Sequence, residues 1–136
     1  MTQTFRLQII TPERCFFDDP VEMVVITAPD GEVGVLAGHS PMVVSMQEGA
    51  IRILREGVWR EAASSDGFAT ITQDQVLLLT QTVEWPEEID RARAERDRAL
   101  AEERLRQKKS MHEYHITRSM LARAMVRLRV SERSTN

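Results

Sequence analysis

The sequence predicts a mainly β then α protein of the α+β class, in which a flattened β-sandwich or barrel precedes an antiparallel two-helix hairpin. Early in the chain apolar residues alternate with polar ones, as half-buried strands require, and a helical pattern follows. All six glycines and four of the five prolines lie before residue 85, and 50 residues without either follow Pro86. Because glycine and proline mark turns, this change indicates a sandwich domain, residues 1–85, and a helical domain, residues 86–136.

Charge divides the chain at the same place. Residues 1–84 carry 5 basic and 12 acidic side chains, whereas residues 85–136 carry 13 basic and 9 acidic ones. The first part therefore has a net charge of −7 and the second a net charge of +4. The excess of positive charge lies in the helical domain alone.

Short strands account for the sandwich domain. Apolar residues recur with period two, as in Phe5, Leu7 and Ile9, and β-branched residues are frequent. Turn-forming residues separate these runs, at positions 11–12, 18–20, 29–31, 48–49, 56–57, 66–67 and 73–74. Many short strands in so few residues are typical of a compact sandwich or flattened barrel.

The first helix is expected from about Glu87 to about Lys108. Pro86 suits the first helical turn, and the acidic residues at 87, 88 and 90 would lie at the positive end of the helix dipole. Basic side chains at 104, 106, 108 and 109 suit the opposite end.

A second helix is expected from Ser110, because Ser110 and Glu113 have the spacing of a capping box. An apolar stripe on one face runs until Ser131 begins a polar tail, and comprises Ile116, Met120, Leu121, Ala124 and Leu128. The first helix offers few apolar residues in return, so the hairpin should be only marginally stable alone. The joint at residues 108–111 contains no glycine or proline, so we expect that this segment can also straighten into one continuous helix.

Motifs of catalysis and of metal binding are missing. The chain has no GxxxxGK[ST] phosphate loop, no GxGxxG and no GxSxG nucleophile elbow. Its one cysteine, Cys15, excludes an internal disulfide and is interpreted as a small buried hydrophobic residue. His112 and His115 lack a third ligand nearby and are interpreted as a solvated pair. We therefore predict no enzyme activity, no catalytic residues and no metal site.

Targeting signals are also missing. No apolar run approaches the roughly 20 residues that span a bilayer. The amino terminus lacks the charged start and long apolar run of an export signal, so a location on the cytosolic side is expected.

Arginines of the helical domain are candidates for an anion site. Arg123 and Arg127 lie one turn apart on the second helix and border its apolar stripe. A hairpin with aligned ends would bring them near Asp90 and Arg93, with Glu84 just ahead. Three guanidiniums beside an apolar wall suit a phosphate chain. Surface ion pairs, including one between Asp90 and Arg93, explain the same residues, and spacing alone favours this second interpretation because exposed pairs of this kind are common.

Five segments together resemble the epsilon subunit of F-type ATP synthases over nearly the whole chain. They are GEVGVLAGHSP at 31–41, ITPER at 10–14, SDGF at 65–68, IDRARA at 89–94 and RAMVRLRV at 123–130. Each segment alone is weakly specific, but the combination is highly specific. Two residues depart from the family's pattern: Ala37 stands where proline is commoner, and Asp66 where glycine is usual. Both departures concern local loop geometry in the sandwich domain.

The resemblance implies a non-catalytic subunit of the central stalk, placed peripherally at the cytoplasmic face of the bacterial membrane. The sandwich would dock on the gamma subunit and on the rotor ring of membrane c subunits, in an enzyme driven by protons or sodium ions. In this docking region Glu32 is a candidate contact to the ring and His39 a candidate contact to gamma. A turn carboxylate and a locally hydrogen-bonded loop histidine are the alternative interpretations.

The resemblance also implies two positions for the helices, either folded against the sandwich or extended toward the catalytic head. In the extended position they would meet the alpha and beta subunits and inhibit ATP hydrolysis. The positive charge of the helical domain fits contact with acidic loops. The candidate contacts are Arg118, Arg123, Arg127 and Arg129.

The segment IDRARA matches the signature [IL]-D-x-x-R-A with which some bacterial members bind ATP in the folded hairpin. By resemblance the ATP-binding residues would be Glu84, Ile89, Asp90, Arg93, Ala94, Arg123 and Arg127. ATP, with or without Mg2+, is then a regulatory ligand that stabilises the folded state by mass action, and no cofactor is required.

Two other classes of function stay open. The basic hairpin could belong to a nucleic-acid or partner-helix binding module, but its charges alternate in sign and it contains one tyrosine, Tyr114. This composition favours a solvated face and no nucleic-acid partner. A small β-domain enzyme with a helical lid would need a catalytic constellation that the motifs do not supply.

Overall fold

Two five-stranded sheets form the first part of the computed structural model, which describes residues 3–107 and 110–134. The strands are β1 (Phe5–Ile10), β2 (Cys15–Val21), β3 (Met23–Ala28), β4 (Gly31–Leu36), β5 (Met42–Met46), β6 (Gly49–Arg55), β7 (Val58–Ser64), β8 (Gly67–Ile71), β9 (Gln75–Thr80) and β10 (Val83–Glu84). The first sheet has the order β2-β1-β9-β8-β5, and the second has the order β10-β7-β6-β3-β4.

The pairing of β1 with β9 ties the start of the sandwich to its end. This pair is parallel, whereas the other neighbouring strands pair antiparallel. Ile10 lies opposite Leu79, so the turn at residues 11–14 lies beside the segment at residues 81–84. This neighbourhood becomes one wall of the candidate site.

Alternation along the strands builds one core between the sheets, as the sequence predicts. Phe5 and Leu7 are buried, whereas Arg6 between them is exposed. The largest fully buried side chains come from both sheets, and include Leu7, Ile9, Ile26, Ile51, Ile53, Ile71 and Leu78. The first residue of β8 is Gly67. Only glycine fits here, because a Cβ atom would collide with the backbone carbonyl group of Leu79. The predicted sandwich is confirmed.

The first helix begins later than predicted. Pro86–Glu88 form a single 3-10 turn, Ile89 is extended with φ −78° and ψ 125°, and α1 is Arg91–Arg106. The Glu88 carboxylate accepts a hydrogen bond of 2.9 Å from the Trp85 backbone N–H. This side-chain contact closes the turn on itself, so the prediction of a continuous helix from residue 87 was wrong.

Both ends of α1 have identifiable caps. Asp90 Oδ1 accepts from the Arg93 backbone N–H at 3.0 Å, and Gln107 is the C-cap residue. The helix thus ends close to the predicted end at about Lys108, whereas the role of Lys108 and Lys109 falls outside the described residues. The same holds for part of the joint at residues 108–111.

The second helix, α2, is Met111–Ser134. Ser110 Oγ accepts from the Glu113 backbone N–H at 3.1 Å, which confirms the predicted cap. Ser131 is buried and helical, so the prediction of a polar tail from this residue was wrong.

The seam between α1 and α2 follows a seven-residue repeat of small side chains. On α2 it contains Thr117, Ala124 and Ser131, and on α1 it contains Ala94 and Ala101. Residues four apart on a helix differ in direction by about 40°. The predicted stripe, which has four-residue steps, therefore turns away from the seam toward the amino-terminal end of α2. Ile116 is accordingly 52% exposed, and Thr117 lies in the seam instead.

The hairpin lies on the outer face of the second sheet. Val126 and Val130 of α2 pack on Ala63 of β7, with Ala50 and Ile89 at the edge of this cluster, whereas α1 packs on α2. The predicted order of sandwich and antiparallel hairpin is confirmed. The part of the chain that the structure describes contains no helix that is both long and apolar enough to cross a membrane.

Cys15 differs from its prediction. It is exposed at the start of β2, an edge strand, because the register shift at Ile9 and Ile10 displaces this end of the strand from regular pairing. The interpretation as a buried hydrophobic residue was therefore wrong.

Candidate functional site

One ion pair joins α2 to the last strand of the sandwich. Arg127 Nε donates to Glu84 Oε1 at 2.6 Å, and about a quarter of each side chain is exposed, 25% and 27% respectively. Glu84 is held by the pairing of β10 with β7, and Arg127 lies on the turn of α2 that follows the buried Val126. Two predicted site residues are thus in direct contact.

A second arginine lies one helical turn away. Arg123 Nη2 lies 3.3 Å from Asp66 Oδ1, and its Nε is buried without a hydrogen-bond partner among the described residues. A narrow crevice between Arg123, Arg127 and Ser64 separates α2 from the sandwich. Arg123 therefore has an unused donor next to the position of Arg127.

The start of α1 supplies the other predicted residues, with mixed results. Asp90 contacts the backbone N–H of Arg93 and not its guanidinium, so the expected side-chain ion pair between them does not form. The Arg93 side chain is exposed and makes no ion pair within residues 3–107 and 110–134. Ala94 is buried in the helix seam, and Ile89 packs on the cluster that contains Val126.

A polar cavity of about 290 Å3 opens beside Glu84 and Arg127. Its other walls are the turn that follows β1, with Arg14, and the 3-10 turn, with Glu88. Arg14 Nη2 lies 2.9 Å from Glu88 Oε2 and also donates to the Val83 carbonyl oxygen at 3.4 Å. This volume is at the lower end of the range of ligand pockets, about 300–1,000 Å3.

Sequence reasoning missed Arg14 and Glu88. Residues 74 apart have no local pattern that connects them, and only the parallel pairing of β1 with β9 brings them together. Glu88 was instead interpreted as a dipole-compensating residue of the first helix.

The predicted docking residues have different environments. Glu32 lies on β4 and not in a turn, is exposed, and forms an ion pair of 2.7 Å with Arg52. The His39 ring meets the Phe5 ring edge to face at 5.7 Å. Neither ring nitrogen of His39 has a hydrogen-bond partner in the described chain, so the alternative of a locally hydrogen-bonded histidine does not hold.

The four candidate inhibitory arginines divide into two pairs. Arg123 and Arg127 face the sandwich and contact its carboxylates, whereas Arg118 and Arg129 are exposed. Arg118 lies 5.9 Å from the Tyr114 ring centroid. In this folded arrangement only Arg118 and Arg129 are free to meet another protein.

An open apolar surface lies on the other side of the sandwich. Val43, Phe68 and Leu79 project from the outer face of the first sheet and are 71%, 60% and 44% exposed. The hairpin lies on the second sheet and does not reach them. The sequence carried a signal, because the runs Val43–Val44 and Leu77–Leu79 are continuous where a solvated face would alternate.

The described residues contain no arrangement that would support a metal site. His112 and His115 are exposed, and in the described ranges no group of three or more His, Cys, Asp or Glu side chains could hold a metal ion. The predicted interpretation as a solvated pair is consistent with their exposure.

Comparisons with known proteins agree along the whole chain. Residues 4–86 match the family model of the ATP synthase delta/epsilon chain beta-sandwich domain, and residues 87–132 match that of its long alpha-helix domain. The ATP synthase epsilon chain of Caldicellulosiruptor saccharolyticus is 46% identical over 132 residues, covering 97% of this chain and 96% of that one. The epsilon chain of Ruminiclostridium cellulolyticum is 47% identical over 130 residues, covering 96% and 97% respectively.

Solved structures share the fold at lower identity. A chain of the Euglena gracilis mitochondrial ATP synthase, solved with OSCP, F1 and the c-ring, superposes with a TM-score of 0.79 and 22% identity. That match covers 98% of this chain and 82% of the Euglena chain. A chain of the central stalk and c-ring of the Tetrahymena thermophila enzyme gives 0.63 and 8%, covering 96% and 98%. The matches of both domain models and the relatives of 46–47% identity show that the chain belongs to the delta/epsilon family of ATP synthase subunits, as an epsilon subunit of the F-type enzyme.

Proposed function

We propose that this chain is a non-catalytic subunit of the central stalk that restrains ATP hydrolysis through its helices. The observation that carries the proposal is that the two outer faces of the sandwich differ in what covers them. The chain's own helices cover one face through ion pairs and a small apolar cluster, whereas the other face is open and apolar. The open face thus suits permanent attachment to another subunit, and the face under the helices suits a movable element.

The open face of the first sheet is proposed to dock on the gamma subunit. Exposed apolar side chains of neighbouring strands, such as Phe68 and Leu79, form a contiguous patch that water solvates poorly. His39 is proposed as a further contact to gamma, because its two ring nitrogens are buried without a hydrogen-bond partner in the described chain, and docking that reached them would satisfy both. Glu32 is proposed to contact the ring of c subunits, and its exposed ion pair with Arg52 would then be replaced by this contact.

The helices are proposed to inhibit hydrolysis when α2 leaves the sandwich and meets acidic loops of the alpha and beta subunits. Arg123 and Arg127 would then exchange Asp66 and Glu84 for carboxylates of the catalytic head. The small apolar cluster between α2 and β7 supports this step, because burial of little apolar area makes detachment inexpensive in free energy.

ATP is proposed to bind the folded hairpin and to oppose this release. Arg123 has an unused donor, Arg93 is exposed without an ion pair in the described chain, and Arg127 adjoins a polar cavity. These three guanidiniums suit a triphosphate, with or without Mg2+. A ligand that binds only the folded state raises its population by mass action. The subunit would then be held at the cytoplasmic face of the membrane through the complex alone, whichever ion drives the rotor.

The test is ATP hydrolysis by a complex reconstituted with the full chain or with the double variant Arg118→Glu/Arg129→Glu. Both residues are exposed, so their substitution leaves the contacts between α2 and the sandwich intact. Since an exposed ion pair contributes about 0.2–1 kcal/mol, loss of two should shift the ratio of active to inhibited complexes about 2- to 30-fold toward activity.

Arg96→Glu is the matched control, because Arg96 is exposed on α1 and lies outside the proposed contact. Hydrolysis that stays at the parent rate in the double variant would contradict the role of Arg118 and Arg129 in the inhibitory contact.

A further inference from the structure

The carboxylate of Asp66 contacts Arg123, one of the arginines of the proposed nucleotide site. Asp66 lies in the connection between β7 and β8, and its Oδ1 is 3.3 Å from Arg123 Nη2. Arg123 keeps a buried Nε without a partner in the described chain, so this single contact does not satisfy its donors. A guanidinium binds an oxyanion best through two parallel hydrogen bonds, and Asp66 makes only one.

Backbone geometry gives no other reason for an aspartate here. Residue 66 is a position where the family resemblance leads one to expect glycine, yet Asp66 is not among the residues with positive φ. Aspartate therefore fits this turn without backbone strain. What the side chain adds is a negative charge that faces the second helix.

This ion pair differs from that between Glu84 and Arg127. The Asp66 and Arg123 side chains are 56% and 39% exposed and their contact is long, so the pair itself is weak. The charge of Asp66 nevertheless stays close to any anion that binds Arg123, and like charges a few ångströms apart repel. Asp66 thus affects an anionic ligand more than it affects the fold.

We propose that Asp66 sets the affinity of the helical domain for nucleoside triphosphates, as an internal carboxylate that competes with phosphate for Arg123. This inference rests on the proposed nucleotide site at Arg123 and Arg127. Asp66 weakens ATP binding, so that the site responds only at high ATP concentration. Without ligand, the same carboxylate helps to hold the middle of α2 against the sandwich.

The test is calorimetric titration of the full chain with ATP, with and without Mg2+, for the parent and for Asp66→Asn and Asp66→Gly. Both variants are expected to lower the ATP dissociation constant about tenfold, because both remove the repelling charge. Asp74→Asn is the matched control: it removes one negative charge beyond the other end of β8, where the carboxylate contacts Thr72 in the turn between β8 and β9.

The outcomes separate this inference from the proposed function. The inference is supported if both Asp66 variants bind ATP more tightly than the parent and Asp74→Asn keeps the parent dissociation constant. It is also supported if both Asp66 variants bind ATP while the parent and Asp74→Asn show no binding. Equal dissociation constants in parent and Asp66 variants overturn the inference and leave the nucleotide site standing. An equal gain in Asp74→Asn also overturns it, because net charge alone would then explain the change. If neither the parent nor either Asp66 variant binds ATP at millimolar concentration, the inference and the nucleotide site both fail.

Discussion

The clearest single-residue effect of the fold on acidity lies at the edge of the first sheet. Arg6 donates two hydrogen bonds of 2.9 Å to the carboxylate of Asp18, which lies diagonally across on the neighbouring strand, opposite Gln8. The hydrogen bond from Arg6 lowers the pKa of Asp18 below its ordinary value of 3.8, since it favours the ionised form; the positive charge of Arg6 and a hydrogen bond from Gln8 act in the same direction.

The sign of the resulting pH dependence follows from this lowered pKa. Because the folded state holds Asp18 ionised, the pair stabilises the protein above the ordinary pKa, and this contribution is lost as the pH falls through the lower folded value. We expect the parent to lose stability relative to Asp18→Asn as the pH falls below about 4. Arg6→Ala should return the titration midpoint of Asp18, followed by carbon NMR of the carboxyl group, toward 3.8.

Arg55→Ala serves as the control, because Arg55 pairs with the adjacent Asp19 at 3.1 Å and not with Asp18. If the Asp18 midpoint moved equally in both arginine variants, general charge and not the Arg6 contact would set the pKa.

At the scale of elements, the seam of the hairpin depends on small side chains. Ala101 is fully buried between α1 and α2, and Ala94 lies two turns earlier on the same face. Helices that approach through alanine have no room for added methylene groups. The seam is therefore sensitive to volume, although it buries little apolar area.

Ala101→Leu is expected to destabilise the hairpin by about 1–3 kcal/mol through overpacking. Amide exchange in α1 and α2 should accelerate accordingly, and the strands of the sandwich should keep the parent rates because their core does not contain residue 101. Ala99→Leu makes the same change on the exposed side of α1 and should leave exchange unaltered. Equal exchange in Ala101→Leu and the parent would argue against a close-packed seam.

Local patterns predicted the elements, and long-range contacts decided the rest. Strand alternation and the Ser110 cap depend on residues within a few positions, so the sequence contains them. The start of α1 depends on contacts that Trp85 and Glu88 make with β2, β7 and Arg14, which no local pattern encodes. The same holds for the candidate site, where the sequence identified Glu84 and Arg127 but not the opposing carboxylate of Asp66.

For the molecule as a whole, the junction between the two domains is fixed to the sandwich. The Trp85 ring lies between the Phe16 ring, at 4.5 Å between centroids, and the Arg60 guanidinium, at 3.7 Å from the ring centroid. Arg60 also pairs with Glu87 at 3.4 Å, and Arg14 pairs with Glu88. The 3-10 turn therefore packs as part of the sandwich, although its sequence marks the start of the helical domain.

We therefore expect the helices to pivot after this turn, near the extended residue Ile89, and to leave Trp85 in place. Val130→Asp should release α2, because it puts a charge into the cluster with Ala63. In a Trp59→Phe background the emission and acrylamide quenching of Trp85 should match the parent, while amide exchange in α2 rises. Arg60→Ala is the comparison that should expose Trp85 and increase its quenching. If Val130→Asp increased quenching as much as Arg60→Ala does, the pivot would instead lie before Trp85, at the end of β10.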